Sequence, residues 1–276
     1  EWTTPYGVPP FDRIRPEHFL PAFERGMSLH NAEIDAIVGT SDEPTFENTI
    51  AAYDASGRML QRTSLIFEML AASDATPEMQ AVEQEAMPLL AAHADEIRMN
   101  ERLFGRIKAV YDRREALPLT AEQRRLTEKL YRRFVRSGAL LDEAGKRRLK
   151  EINGDLSRLS VKYGNNLLHE NDAFGLELTA DRLEGLPNAV REAAREKAQA
   201  AGLGDKSYLF TLHKPSMLPF LSYAKDRKLR EELYTAYLDR CNHGDEYDNK
   251  ALVNDYIRLR TEKAHLLGYD SYADYV

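Results

Sequence analysis

The seven histidines are the residues with the widest chemical repertoire, so their spacing decides which metal or acid–base sites are possible. A zinc peptidase helix needs two histidines four residues apart with a glutamate after the first, because this spacing puts both imidazoles on one face. The nearest approach is His169-Glu170, where Ala173 occupies the second histidine position. The other histidines also lack the spacing: His18, His30, His93, His213, His243 and His265. The sequence therefore predicts no catalytic, metal-binding or cofactor-binding residue within these 276 positions.

Two other groups of reactive residue types are better explained as structure. Segment 242–248 holds His243 and several acidic residues, but it lacks the ligand order and closing glutamate of a calcium loop. We expect an exposed connection between helices there. Cys241, the only cysteine, lies too close in sequence to His243 to be interpreted as a nucleophile–base pair. His93 and His265 lie in helical patterns, and we expect structural roles for both.

Composition and charge argue against several classes of partner. With 38 Lys+Arg against 45 Asp+Glu, the net charge is −7, which does not suit a nucleic-acid-binding surface. No apolar run approaches the ~20 residues that span a bilayer, so no membrane association is expected. A single cysteine permits no intrachain disulfide, and it leaves the choice between a bacterial cytoplasm and a periplasm open. We expect a monomer.

Apolar residues recur at steps of three and four through most of the chain, which predicts a mainly α-helical fold. A proline-rich arm over 1–15 precedes helices that we place at 16–39, from Thr45 to about 70, at 77–97, 103–111 and 121–138. Thr76 with Pro77 predicts a capped helix start, and Thr120 with Gln123 predicts a capping box. Pro88 is expected to kink the third helix.

The helix expected from about Asp142 to Leu167 has a coiled-coil-like spacing of apolar residues, so it should pack along another long helix. The pattern then changes to strand periodicity at 174–178 and 208–212, with a helix between Pro187 and Gly202. Helices resume at 216–224, 226–240 and 249–267. The prediction is a multi-helix lobe of long antiparallel helices with one small two-stranded β element. We divide it into a domain at 1–171 and a smaller region at 172–276.

The last residues form an aromatic stripe after a helix C-cap. The helical pattern breaks at Gly268, and Tyr269, Tyr272 and Tyr275 follow at steps of three. We expect these rings to fold back on the lobe or to be unusually exposed.

Several stretches of the chain resemble one family of enzymes. The closing segment reads Arg260-x-Glu262-Lys263-Ala264-x-Leu266-Leu267-Gly268-Tyr269-x-Ser271-Tyr272-Ala273. Further agreeing stretches are Pro10–Ile14, Glu17–Phe23, Pro44–Thr49, Arg132–Ala139 and Leu229–Tyr234. Together they resemble, in order and over essentially the whole chain, the thimet oligopeptidase–neurolysin–oligopeptidase A family of zinc metallopeptidases. Within it the resemblance is to the bacterial peptidyl-dipeptidases, or dipeptidyl carboxypeptidases.

The resemblance implies an N-terminal, non-catalytic portion of such an enzyme, with a neurolysin-like N-terminal fold. The family's zinc-binding helix and carbonyl-stabilising residues would fall after Val276, so no catalytic residue is carried over. The implied partners are short unfolded peptides and the catalytic C-terminal domain of the same protein. The implied zinc belongs to the full-length enzyme and not to this chain, which is expected to be inactive alone.

Two alternatives remain open from the sequence. The chain could be a free-standing helical binding or scaffold protein without peptidase activity. It could also be the lobe of an oligopeptidase with endopeptidase action in place of dipeptide release.

Overall fold

The chain is mainly α-helical with one small antiparallel sheet, as the computed structural model shows for residues 3–276. The predicted N-terminal arm begins at Glu1 and Trp2, which lie outside the described residues. From Thr3 to Arg15 the arm contains no α-helix, and most of its residues are exposed. A 3-10 turn over Pro5–Gly7 interrupts its extended course.

Twelve α-helical segments and two strands follow one another in the described chain. The helices are α1 (Phe19–Gly39), α2 (Ala52–Asp54), α3 (Arg58–Ser73), α4 (Pro77–Arg98), α5 (Glu101–Arg113), α6 (Ala121–Arg136), α7 (Glu143–Ala173), α8 (Asn188–Ala200), α9 (Lys214–Tyr223), α10 (Arg227–Leu238), α11 (Lys250–Leu266) and α12 (Tyr272–Tyr275). The strands are β1 (Leu176–Leu178) and β2 (Tyr208–Phe210). They pair antiparallel with Leu176 opposite Phe210, which confirms the predicted β element on a helical body.

The predicted helix starts are confirmed at the level of individual hydrogen bonds. The Thr120 hydroxyl accepts from the backbone N–H of Gln123 at 3.2 Å, and the Gln123 side chain accepts from the backbone N–H of Thr120 at 3.0 Å. The Thr76 hydroxyl accepts from the backbone N–H of Met79, with Pro77 at the first helical position. Each bond satisfies an amide that the helix itself leaves without a partner.

The single helix predicted from Thr45 to about residue 70 is wrong. The chain there forms a π-helical segment, Phe46–Ala51, which runs into α2 and ends before α3 begins. Gly57 separates the two parts with a φ of 69°, a left-handed conformation that glycine adopts without a Cβ clash. Its backbone N–H donates to the Glu33 carboxylate at 2.6 Å, so the break is tied to α1.

The coiled-coil-like stripe of α7 is only partly buried. Leu149 and Ile152 are fully buried, Leu156 and Leu159 are half-buried, and Tyr163 is exposed. The stripe therefore contributes to the core mainly through its first turns.

The chain divides into two compact units. The first contains the chain up to Val161 together with Tyr256–Val276, and the second is Lys162–Asp255. Helices α7 and α11 contribute residues to both. This division places the C-terminal segment with the N-terminal helices, whereas the domain boundary drawn from the sequence separates them at 171.

Each unit has its own hydrophobic core. In the first unit, Phe19 and Phe23 pack edge-on against Phe67, with ring centroids 5.1 and 5.6 Å apart. A second cluster of the first unit contains Ile50, Leu103, Ile107, Val110, Leu130 and Phe134. The core of the second unit includes Leu183, Phe210, Leu212, Phe220 and Leu233. Within residues 3–276, no helix combines the length and apolar character needed to cross a membrane.

Gly185 tests how tightly the second unit is packed, because a Cβ at this position would lie 2.3 Å from the backbone oxygen of Tyr223. Its φ of 91° adds a left-handed cost of about 1–2 kcal/mol for alanine. We expect Gly185→Ala to lower the free energy of unfolding by clearly more than that, as measured by urea denaturation. Gly202→Ala is the matched control, since Gly202 has a φ of 72° and open space where its Cβ would lie. Equal losses in the two variants would contradict the close approach at Gly185.

Candidate functional site

A buried polar network joins three helices of the first unit. Asp95 of α4 is only 5% exposed, and the side-chain amide of Asn153 on α7 donates to its two carboxylate oxygens at 2.9 and 2.8 Å. The Lys263 ammonium of α11 donates to the Asn153 side-chain oxygen at 2.6 Å. One amide therefore lies between a buried acid and a half-buried base.

The network shifts the acid–base properties of both charged groups. Burial raises the pKa of Asp95, while the hydrogen bonds from Asn153 and the charge of Lys263 lower it. Burial lowers the pKa of Lys263, while the charge of Asp95 raises it. These are the properties of a structural ion pair that is separated by a neutral amide.

The C-terminal aromatic stripe packs against α6 and α11 as a tyrosine–arginine cluster, made of Arg136, Arg260, Tyr269, Tyr272 and Tyr275. The Tyr275 ring lies 5.4 Å from Tyr269 and 5.7 Å from Tyr272. The Arg136 guanidinium lies 4.8 Å from the Tyr275 ring and donates to the Tyr275 backbone oxygen. The Arg260 guanidinium lies 4.8 Å from the Tyr272 ring. The tyrosines thus fold back on the first unit, which is the first of the two outcomes expected from the sequence.

A pair of histidines lies in a groove of about 650 Å³ in the first unit, which we call the histidine groove. His30 Nδ1 lies 3.1 Å from His93 Nε2, and His30 Nε2 lies 3.2 Å from the Ser56 hydroxyl. Burial lowers the pKa of both imidazoles, and the His93 charge lowers that of His30 further. His93 is 6% exposed, so it has the packed role expected from its helical pattern.

The second unit has a smaller pocket of about 340 Å³. In it, one imidazole lies between a carboxylate and a hydroxyl. His213 Nε2 lies 3.3 Å from the Asp172 carboxylate, and His213 Nδ1 lies 3.3 Å from the Thr211 hydroxyl. Acyl-transfer triads use the same groups. Thr211 is only 6% exposed, however, so these long contacts are better explained as structural bonds at the start of α9.

Cys241 and the acidic segment after it are placed as the sequence predicts. Burial raises the pKa of the Cys241 thiol to about 11, and the nearby Glu170 raises it further, so the thiol is a poor nucleophile. His243 lies 3.2 Å from the Glu170 carboxylate, and Asp248 accepts from the backbone N–H of Gly244. Most of segment 242–248 is exposed and connects α10 with α11.

The described residues do not fit a catalytic zinc ion. Over residues 3–276, no group of three or more His, Cys, Asp or Glu side chains converges on one point. His169 lies in α7 with its ring stacked on Tyr247 at 3.6 Å, and Ala173 offers no second ligand. A three-ligand zinc site cannot be assembled from these side chains.

The buried network and the histidine pair were missed from the sequence, because their partners lie far apart along the chain. Asn153 is 58 residues from Asp95 and 110 from Lys263, and His30 is 63 residues from His93. Asp95 is two residues from both His93 and Ile97, which puts it on a different face of α4 from these two buried residues, so the apolar stripe of the helix gives no signal for it.

Replacing Asn153 tests whether the buried network holds α4, α7 and α11 together. We expect Asn153→Ala to lower the free energy of unfolding by about 3 kcal/mol, because the buried Asp95 and the half-buried Lys263 then lose the amide that bridges them. Urea denaturation measures the loss. Asp155→Ala is the control on the same helix, since Asp155 pairs only with Arg158 near the surface and its removal should cost at most ~1 kcal/mol.

Because the pKa values of His30 and His93 are lowered in the folded state, we expect acid to destabilise the first unit. The unfolded chain takes up protons near the ordinary value of 6.5, whereas the folded pair has lowered pKa values and resists them. The free energy of unfolding should therefore fall as pH drops below about 6.5, and the loss continues to the folded pKa values. Urea denaturation at several pH values should show a shallower slope for His93→Gln. Ser56→Ala keeps both imidazoles, so a slope as shallow as that of His93→Gln would refute this assignment.

Comparison with known proteins shows which proteins this chain resembles. Residues 220–276 match the family model described as peptidase family M3. The chain is 36% identical over 272 residues to dipeptidyl carboxypeptidase of Escherichia coli (strain K12), covering 98% of this chain and 40% of that protein. It is 35% identical over 270 residues to dipeptidyl carboxypeptidase of Salmonella typhimurium, with 98% and 40% covered. It is 29% identical over 275 residues to oligopeptidase A of Escherichia coli (strain K12), again with 98% and 40% covered.

The chain thus spans about 40% of the length of these curated relatives, and nearly all of it aligns with them. The tyrosine–arginine cluster draws four of its five residues from the segment that the family model matches. Residues 220–276 thus match peptidase family M3, and nearly the whole chain is similar to part of two proteins named dipeptidyl carboxypeptidase.

Proposed function

We propose that this chain is the N-terminal, non-catalytic lobe of a zinc metallopeptidase that hydrolyses short peptides. The observation that carries the proposal is the alignment of 98% of the chain with 40% of dipeptidyl carboxypeptidase. The described residues do not fit a zinc site, which agrees with a catalytic site formed by another part of a longer chain. Zinc binding and bond cleavage are then assigned to sequence outside these residues.

The helical architecture suits a supporting role in peptide selection. Each unit has its own core, and the first unit joins its helices α4, α7 and α11 through buried polar groups. A rigid helical wall of this kind limits which peptides reach a catalytic centre, because folded proteins cannot enter a narrow channel. We propose that this lobe forms one such wall, with short unfolded peptides and the catalytic domain of the same protein as its partners.

We further propose that the longer enzyme releases dipeptides from peptide C-termini. The support is that the chain is 36% and 35% identical to two proteins named dipeptidyl carboxypeptidase, against 29% for oligopeptidase A. Endopeptidase action is the competing assignment. The two differ in their products, because a dipeptidyl carboxypeptidase leaves a ladder of peptides shortened by two residues at a time.

The purified 276-residue chain should show no peptidase activity that a chelator abolishes, even with added zinc, because it lacks a convergent ligand set. Mass spectrometry of a blocked oligopeptide incubated with the chain measures this. Stoichiometric bound zinc together with chelator-sensitive cleavage would overturn the proposal.

The reading frame beyond residue 276 provides an independent check. A His-Glu-x-x-His sequence in that frame is the expected result, and a stop codon directly after residue 276 would favour a free-standing binding or scaffold protein. With the longer enzyme in hand, stepwise loss of C-terminal dipeptides is expected from a free-carboxylate substrate. Internal cleavage of a C-terminally amidated substrate at the same rate would favour the endopeptidase.

A further inference from the structure

We propose that the histidine groove carries a carboxylate-binding subsite for an oligopeptide, formed by Tyr53, Arg98 and Arg133. The nature of the ligand rests on the proposed function, since short peptides are the class of molecule that this lobe would meet. The subsite itself rests on the placement and the bonding of the three side chains.

The three residues reach the same groove from three different elements of the first unit. Tyr53 belongs to α2, Arg98 lies in the last turn of α4, and Arg133 lies in the last turn of α6. The Tyr53 ring is held edge-on against Phe134, with ring centroids 5.4 Å apart. Burial raises the pKa of the Tyr53 hydroxyl, and the charges of Arg98 and Arg133 both act against this shift. Both guanidinium groups therefore lie within electrostatic range of one phenol.

The two arginines differ from most basic groups of the first unit in what they contact. Arg148 donates two hydrogen bonds to Glu262, at 2.6 and 3.0 Å, and Lys146 donates to Glu101 at 2.6 Å. By contrast, the side chains of Arg98 and Arg133 form no hydrogen bond or ion pair with any residue in 3–276. Arg98 is half-buried and Arg133 is exposed, so both can receive a ligand.

The surroundings favour an anion at this end of the groove. Arg98 and Arg133 both line it, and although the charge of Arg98 also lowers the pKa of Asp95, the Asp95 carboxylate is hydrogen-bonded to Asn153 and does not line the groove. The groove also contains Asp54 and Glu68, but neither forms an ion pair with the two arginines. Two guanidinium groups with a phenol suit a carboxylate, because guanidinium donors match its two oxygens and a phenol adds a third donor.

The rest of the groove suits a peptide better than a small anion. Its volume of about 650 Å³ is within the range of sites for drug-sized molecules. Gln61 and Ser64 of α3 line it and offer side chains that can hydrogen-bond a peptide backbone. Leu65, also on α3, is 59% exposed and adds apolar surface for a side chain. The ligand that fits is an oligopeptide whose carboxylate lies between Arg98 and Arg133.

Isothermal titration calorimetry of the 276-residue chain, with a chelator present, tests the subsite without any cleavage. The probes are a six-residue peptide with a free C-terminal carboxylate, its C-terminal amide, and the amide carrying one internal glutamate or glutamine. We expect the carboxylate peptide to bind about tenfold more tightly than the amide. A preference for the glutamate-containing amide alone would identify an acidic side chain as the source of the carboxylate, and would equally support the subsite.

Three variants locate the effect. In the double variant Arg98→Gln/Arg133→Gln, the carboxylate and amide peptides should bind with equal affinity, and Tyr53→Phe should weaken carboxylate binding about threefold. Arg132→Gln is the matched control, because Arg132 is an exposed neighbour on α6 that does not line the groove. Thermal unfolding of each variant shows that the fold is retained.

Three results would overturn the proposal. The first is equal binding of the carboxylate peptide, the glutamate-containing amide and the plain amide by the unmodified chain, and the second is an undiminished carboxylate preference in the double variant. The third is full displacement of the peptide by millimolar inorganic phosphate, which would show a general anion site. Because the chelator prevents zinc-dependent cleavage, the titration measures binding alone. The subsite proposal can therefore be rejected while the peptidase proposal is retained, and the peptidase proposal can be rejected while the subsite is retained.

Discussion

The first unit depends on holding a buried carboxylate, Asp95, and a half-buried ammonium group, Lys263, close together without direct contact. Moving a carboxylate or an ammonium group from water into a protein interior costs several kcal/mol unless its hydrogen bonds are replaced. Asn153 replaces them for both groups, because an amide has donors on nitrogen and an acceptor on oxygen. Its nitrogen serves both oxygens of Asp95, and its oxygen serves Lys263. Neither a carboxylate nor an apolar side chain could do both.

This bond pattern fixes the end of α11 and, through it, the position of the C-terminal residues. Ala264, beside Lys263, is completely buried, and its backbone oxygen accepts from the N–H of Tyr269 at 2.9 Å. Gly268 turns the chain with a φ of 83°, which ends the helix and directs the following segment back toward α6. The tyrosines then reach Arg136, whose guanidinium lies near two of their rings. The buried network and the aromatic cluster are therefore joined through the C-terminal end of α11.

Local patterns were sufficient for most of the fold. Spacing of apolar residues located the long helices, and Thr120 with Gln123 located a helix start, because both signals depend only on neighbours within one or two turns. The break at Gly57 was missed, since a glycine inside a helical pattern costs only ~1 kcal/mol and does not by itself end a helix. What ends it is the bond from Gly57 to Glu33, a residue of another helix. The network around Asn153 was missed for the same physical reason.

The contrast between paired and unpaired arginines explains why a protein with a net charge of −7 can still favour an anion at one place. Most arginines of α5, α6 and α7 lie near glutamates or backbone oxygens, so their fields are largely cancelled at short range. The side chains of Arg98 and Arg133 form no hydrogen bond or close ion pair with a residue in 3–276, although the charge of Arg98 lowers the pKa of Asp95. Asp95, which precedes Arg98 by one helical turn and could pair with it, is instead turned into the network with Asn153. The bond that stabilises the interior thus leaves the Arg98 guanidinium at the groove without a carboxylate hydrogen-bonded to it. Structural and binding roles of the charges are linked here by a single side chain, Asn153.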